Sequence, residues 1–254
     1  MKHYLTSPLS QAIFSRGFVI STVGTALILL LSSVQGILAG FRSAELLACG
    51  FHSDLIMGAL SSEAMALALP ILAALPYTAS FIDDVKSGFI KEYLPRTTVP
   101  RYIAGKAVGC AVSGGLALAL GILAAYGFAA LMFLPMEVYP KAGETVPNYF
   151  GSLAETVLMF FASGAFWSLT GMTFAALTNS KYMAYASPFV LFYLLIILYE
   201  RYFDKLFVLY PREWLSPSPR WVFGKIGVAV LLIEFSLLMA LAFAYAAKRR
   251  LERI

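Results

Sequence analysis

The chain has 254 residues, 60% of them hydrophobic, 15% aromatic and only 13% charged, with a net charge of +5 and mean hydropathy +0.78. That balance excludes an ordinary soluble protein of this length. Uncharged runs from Val19 to Phe41 and from Ala107 to Met136 exceed the roughly 18 residues that read as a membrane span.

An all-α polytopic membrane protein is therefore expected, with six transmembrane helices near 18–40, 64–82, 105–129, 153–177, 182–199 and 222–247 in a single transmembrane domain covering 1–254. The spans consume the chain, so no soluble catalytic domain is expected. Ahead of the first, Ser7 can cap a helix that opens on Pro8, and Leu5, Leu9 and Ile13 recur every four residues. The stretch 7–16 reads as a helix lying along the membrane interface or as a disordered tail. The apolar run after Arg16 is about twice as long as a signal-peptide core, so it is expected to persist as the first span.

Gly36-x-x-x-Gly40 gives that span a small-residue face. Segment 42–63 is expected as an outer loop holding Cys49 and His52. Cys110 falls inside the third span, so the two cysteines should not pair. Pro70 and Pro76 should bend the second span.

Between Phe81 and Lys106 lie eight of the chain's 33 charged residues (19 basic, 14 acidic). Phe81, Val85, Phe89 and Tyr93 are spaced by four, which predicts a short helix over 83–94 with one aromatic side. Gly88 should weaken it by about 1 kcal/mol relative to alanine. Pro95 ends it, and Thr97 or Thr98 with Pro100 opens an inward extension of the third span. An inner loop is also charged for topological reasons alone. Gly105, Gly109, Ser113, Ala117 and Gly121 then form a smooth stripe suited to close helix packing.

Glu155 stands near the outer end of the fourth span, within reach of water. The segment Tyr210–Trp221 is expected to be an ordered outer loop with an interfacial anchor in Trp214 or Trp221. Glu234 lies about twelve residues into the sixth span, where a charge costs a few kcal/mol unless paired. It is either a functional carboxylate or one hydrogen-bonded to a neighbouring helix.

Placing both termini in the cytosol puts Lys2, Arg16, Lys86, Lys91, Arg96, Arg101, Lys106, Lys181, Lys248, Arg249, Arg250 and Arg253 inside. Arg42, Lys141, Arg201, Lys205, Arg212, Arg220 and Lys225 fall outside. Twelve against seven favours this orientation. A phosphate-binding loop is missing, because Gly105-Lys106 and Gly224-Lys225 are followed by Ala107 and Ile226, with proline where the earlier glycine belongs. No histidine lies in a span and no His/Cys cluster suggests a metal site. The chain is not expected to be an enzyme.

Phe81-x-Asp83-Asp84-x-x-x-Gly88-x-x-x-x-Tyr93-Leu94-x-Arg96, leading to Tyr102 and Lys106, resembles the first inner loop of the permease subunit of type-2 ABC exporters. The interfacial helix and six spans with both ends inside are similar too. The family more often has Glu where Asp83 and Asp84 stand.

The resemblance implies that 83–94 is a coupling helix docking into a separate ATPase. Asp83, Asp84, Lys86, Gly88, Phe89, Lys91, Tyr93 and Arg96 would be its partner-binding residues, with Phe89 and Tyr93 filling the ATPase groove. It further implies a second permease copy or sister chain in the cell membrane among lipids, with ATP and Mg held by the partner and no cofactor bound here. Nucleic acid is not an expected partner. A proton-coupled transporter using Glu234, or a membrane scaffold, is the alternative. The cargo is not legible in these residues.

Overall fold

Where the first two of the six spans are expected, the chain forms two helix pairs, each bent sharply at a short break. In the computed structural model, residues 3–43, 45–93, 97–138, 148–203, 205–221 and 223–252 are described, with side chains for all of these except 3–7 and 93. Among them every regular element is helical, and a single isolated bridge joins Leu47 and Glu137. Lys2, Leu94, Arg96, Lys141 and Arg253 lie outside the described residues.

Helix α1 (His3–Ile13) begins earlier than expected, and Pro8 sits inside it rather than at its start. Proline there loses one helical hydrogen bond, but its ring is set against Gly109, where an added Cβ would stand 3.4 Å from Pro8 Cβ. Helix α2 (Arg16–Ser32) is capped by Ser15, whose hydroxyl accepts from the Phe18 N–H. It breaks at Ser33 and resumes, bent by 54°, as α3 (Val34–Arg42). The Ser33 hydroxyl donates to Leu29 O at 2.8 Å, a back-bond that bends helices.

Half of the expected outer loop 42–63 is helix α4 (Phe51–Leu60), whose mixed apolar and small-polar sequence hid it. A 68° break at Ser61–Ser62 leads into α5 (Glu63–Ala74), with Ser62 capping the Met65 N–H. Helix α5 thus ends at Ala74, short of the end expected for the second span near residue 82. Pro70 lies within α5, and turns occupy 75–79 around Pro76.

The expected coupling helix is two pieces, α6 (Ser80–Ser87) and α7 (Phe89–Tyr93). Gly88 separates them at φ +78, a left-handed conformation that an L side chain rarely adopts. Helix α8 (Val99–Phe133) carries Thr98 as its N-cap residue and Pro100 in its first turn. At 35 residues it runs about 52 Å, well beyond a hydrocarbon core of about 30 Å. Helices α9 (Tyr149–Thr178), α10 (Lys181–Arg201) and α11 (Gly224–Leu251) complete the bundle.

Among the described residues four helices are long and apolar enough to cross a membrane, α8 to α11, and up to six spans result if each bent pair counts as one. Helices α8 and α9 form the centre: α9 packs against α8, α10 and α11, and α8 also receives α1 and α2. Gly114 and Gly164 make the α8–α9 approach possible, since a Cβ on Gly114 would fall 2.9 Å from Gly164 O and 2.6 Å from Ser168 Cβ.

Buried side chains form two clusters at opposite ends. One includes Leu29, Ile56, Leu69, Phe160, Trp167 and Trp214. The other gathers Ala12, Phe81, Ile82, Tyr102, Phe243 and Leu251. Ala12 and Leu251 share the second cluster, so the N-terminal helix and the C-terminal end of α11 lie at the same end of the bundle. Helix α6 is there as well.

Candidate functional site

A cluster of polar and charged side chains forms where Asp84 of α6 meets Lys106 of α8. Thr78 closes the turn after α5 by donating to Ala74 O at 2.5 Å, which sets Tyr77 beside α1 and α8. The Tyr77 hydroxyl donates to Gln11 Oε1 at 3.2 Å. Lys106, 4% exposed in an otherwise apolar stretch of α8, donates to the Tyr77 oxygen at 3.0 Å and reaches Asp84 Oδ2 at 2.8 Å. Its ammonium also lies 4.8 Å from the Tyr77 ring centroid and 5.9 Å from that of Tyr102. The Tyr102 hydroxyl donates to the same Asp84 oxygen at 2.7 Å.

A buried ammonium is tolerated only when its charge is matched and its donors are used. Here that requirement ties α6 to α8, with α1 joined through Tyr77.

Asp83 is paired with Lys181 at the start of α10. Both partners are about half exposed, so the contact contributes little to stability, yet it joins α6 to a second long helix. The acidic residues expected to face a partner are therefore turned toward the bundle. Phe81 is also buried, edge-on to Phe243 at 5.3 Å. Gly88 redirects the chain, so Phe81, Val85 and Phe89 do not share one exposed face. What remains outward is Lys86, Phe89 (44% exposed) and Lys91. The side chain of Tyr93 lies outside the described residues, as does Arg96. A cleft of about 490 Å³ opens here between Gln11, Asp83, Asp84, Lys86, Phe89 and Lys181.

The small-residue stripe of α8 is buried at Gly105, Gly109, Ser113, Ala117 and Gly121. Gly109 admits α1, while a Cβ on Gly121 would stand 2.7 Å from Thr22 O, so this face receives α1 and α2. Glu155 is exposed and pairs with Lys225 at 2.7 Å. Glu234 is on the outward face of α11 and has no hydrogen bond or ion pair among the described residues. It is not brought together with Glu155 or with the α6 junction.

At the opposite end Trp214 is 1% exposed rather than an interfacial anchor. Its ring packs against Phe166, Trp167 and Phe235 with centroids 5.6–5.9 Å apart, and its Nε1–H donates to Val208 O. The loop folds back into the bundle because this large ring has an apolar pocket and one satisfied donor.

Glu137 forms a clamp that no sequence motif marks. Its carboxylate accepts from the Gly50 N–H, the His52 N–H and His52 Nδ1 at 2.7–2.9 Å. His52 Nε2 lies 3.1 Å from the Tyr126 hydroxyl. Burial alone would raise the Glu137 pKa, but the bonds from His52 and Gly50 outweigh it and hold the carboxyl below its usual range. His52 and Glu137 are 85 residues apart, and no local pattern couples them.

In comparison with known proteins, the chain matches no family model and no curated protein sequence.

Proposed function

We propose that this chain is the membrane-spanning permease subunit of an ABC exporter of the second type, driven by a separate ATPase that binds ATP and Mg. The observation carrying the reading is the Asp84–Lys106 junction. It fastens a short helix outside the apolar spans to a helix long enough to cross the membrane. A push on α6 and α7 is delivered to α8 through a buried ion pair and to α10 through Asp83–Lys181, with no chemistry needed inside the bilayer. Rigid-body motion of packed helices about such a joint is a known way to switch a bundle between two arrangements.

In this reading α6 and α7 are the coupling element between spans two and three. Lys86, Phe89 and Lys91 meet the ATPase, and Gly88 sets the angle between the two pieces. Both termini and this end of the bundle face the cytosol of a cell membrane, and a second permease copy or sister chain completes the assembly. The outward position of Glu234 gives a proton-coupled transporter less support.

Co-expression with a phosphate-loop ATPase tests the proposal. Phe89→Ala/Tyr93→Ala is expected to lose the ATPase on purification while the permease is recovered at normal yield. Recovery of the ATPase at wild-type yield by that variant would sink the assignment.

A further inference from the structure

At the same end of the bundle, a second cavity of about 450 Å³ opens between α6, the end of α9 and the last turns of α11. Val85, Asn179, Tyr245, Ala246, Arg249 and Arg250 line it. Arg250 Nη1 is buried and makes no hydrogen bond among the described residues. A buried guanidinium donor without an acceptor is costly, and two arginines on consecutive positions make the cavity strongly electropositive. The last carbonyls of α9 place only partial negative charge on one wall, so the guanidiniums decide the sign.

We infer that this cavity binds the phosphate headgroup of an anionic phospholipid. Depth on α11 favours a lipid over a soluble anion. The helix has 28 residues and runs about 42 Å, so its final turns emerge from a hydrocarbon core of about 30 Å at headgroup level. Along the face that carries Tyr245 and Arg249, exposed Ala242 and Leu238 continue toward the bilayer centre and give the acyl chain an apolar track. Basic pockets between membrane helices recognise phosphate headgroups by the same combination of charge and depth, and a guanidinium fork matches phosphate geometry. That the lipid belongs to the cytosolic leaflet rests on the orientation proposed above, whereas the binding itself does not.

The test uses the purified full chain, stripped of lipid and offered dioctanoyl phosphatidylglycerol, dioctanoyl phosphatidylcholine or inorganic phosphate, with bound ligand counted by native mass spectrometry. One phosphatidylglycerol per chain is expected at concentrations where the other two probes do not bind. Arg249→Gln/Arg250→Gln should weaken binding about tenfold or more. Arg250→Lys, which keeps the charge and loses the fork, should fall between, and Arg42→Gln should have no effect.

Equal binding by the wild type and the double variant overturns the site. Equal binding of phosphatidylcholine assigns the contact to the acyl chain alone, and inorganic phosphate as tight as the lipid assigns it to a soluble anion; either overturns the inference. If the double variant does not fold, Arg250→Lys and the three probes on the wild type still decide. ATPase recovery plays no part in this readout, so it can fail while the permease reading stands.

Discussion

Lys106→Met removes the buried charge at the centre of the α6–α8 junction while keeping most of the apolar stem. Removing one member of a buried ion pair costs roughly 3–5 kcal/mol, because the other is left without its counter-charge. Asp84 retains the Tyr102 hydrogen bond and a side chain 19% exposed to solvent, so the lower end, about 3 kcal/mol, is expected. For a chain of this size that corresponds to a fall in Tm of roughly 6–12 °C.

Asp84→Asn alone should destabilise by a similar amount, since it leaves the ammonium buried without a carboxylate. The double variant Lys106→Met/Asp84→Asn should recover at least about 1 kcal/mol relative to the sum of the singles. The assay is thermal unfolding of the four proteins in one detergent, read by helical circular dichroism. Additive effects, or a Lys106→Met cost under about 0.5 kcal/mol, would refute the argument that this pair fastens the two helices.

Three further outcomes follow from the geometry. Gly88→Ala should lower stability by about 1 kcal/mol through its positive φ alone, because nothing within 4 Å meets the added Cβ; Gly88→Asn should cost less in the same melt. Gly114→Ala must push a Cβ against Ser168 and Gly164 of α9, and should cost about 1–3 kcal/mol, measured as a lower Tm with unchanged helix content. For Glu137, the depressed folded pKa means that its clamp contributes stability above the ordinary carboxylate value of 4.5 and loses it as pH falls through the folded value. The stability gap between wild type and Glu137→Gln should therefore be full at pH 7 and shrink below about pH 4.5; a gap independent of pH would contradict the clamp.

Apolar run length was enough to locate α8 to α11, with ends up to six residues from those expected, because hydrophobicity over a long run outweighs local detail. Breaks at Ser33 and at Ser61–Ser62 were not legible. Each coincides with a serine hydroxyl bonded back to the carbonyl four residues earlier, Ser33 to Leu29 O and Ser61 to Met57 O, and a lone serine in an apolar run does not announce such a bond.

The Phe81–Lys106 segment stood out by its charge, yet spacing alone could not show that Asp84 turns inward. The signal was available in the pairing of a lysine inside an apolar helix with an aspartate 22 residues earlier, since a buried ammonium demands a carboxylate. Trp214 offered no such clue, as its burial depends on a loop folding back onto α9 and α11. Glu137 and His52 are 85 residues apart in the chain, and nothing in either local sequence announces the other.

The proposed function requires an ATPase to dock on α6 and α7. A photo-reactive phenylalanine analogue at Phe89, activated in intact cells, would capture that ATPase. Adducts with a protein carrying a Gly-x-x-x-x-Gly-Lys-Ser/Thr loop are expected from this position and not from Arg42 at the opposite end of the bundle. Absence of such an adduct at Phe89, or equal labelling from Arg42, would contradict it.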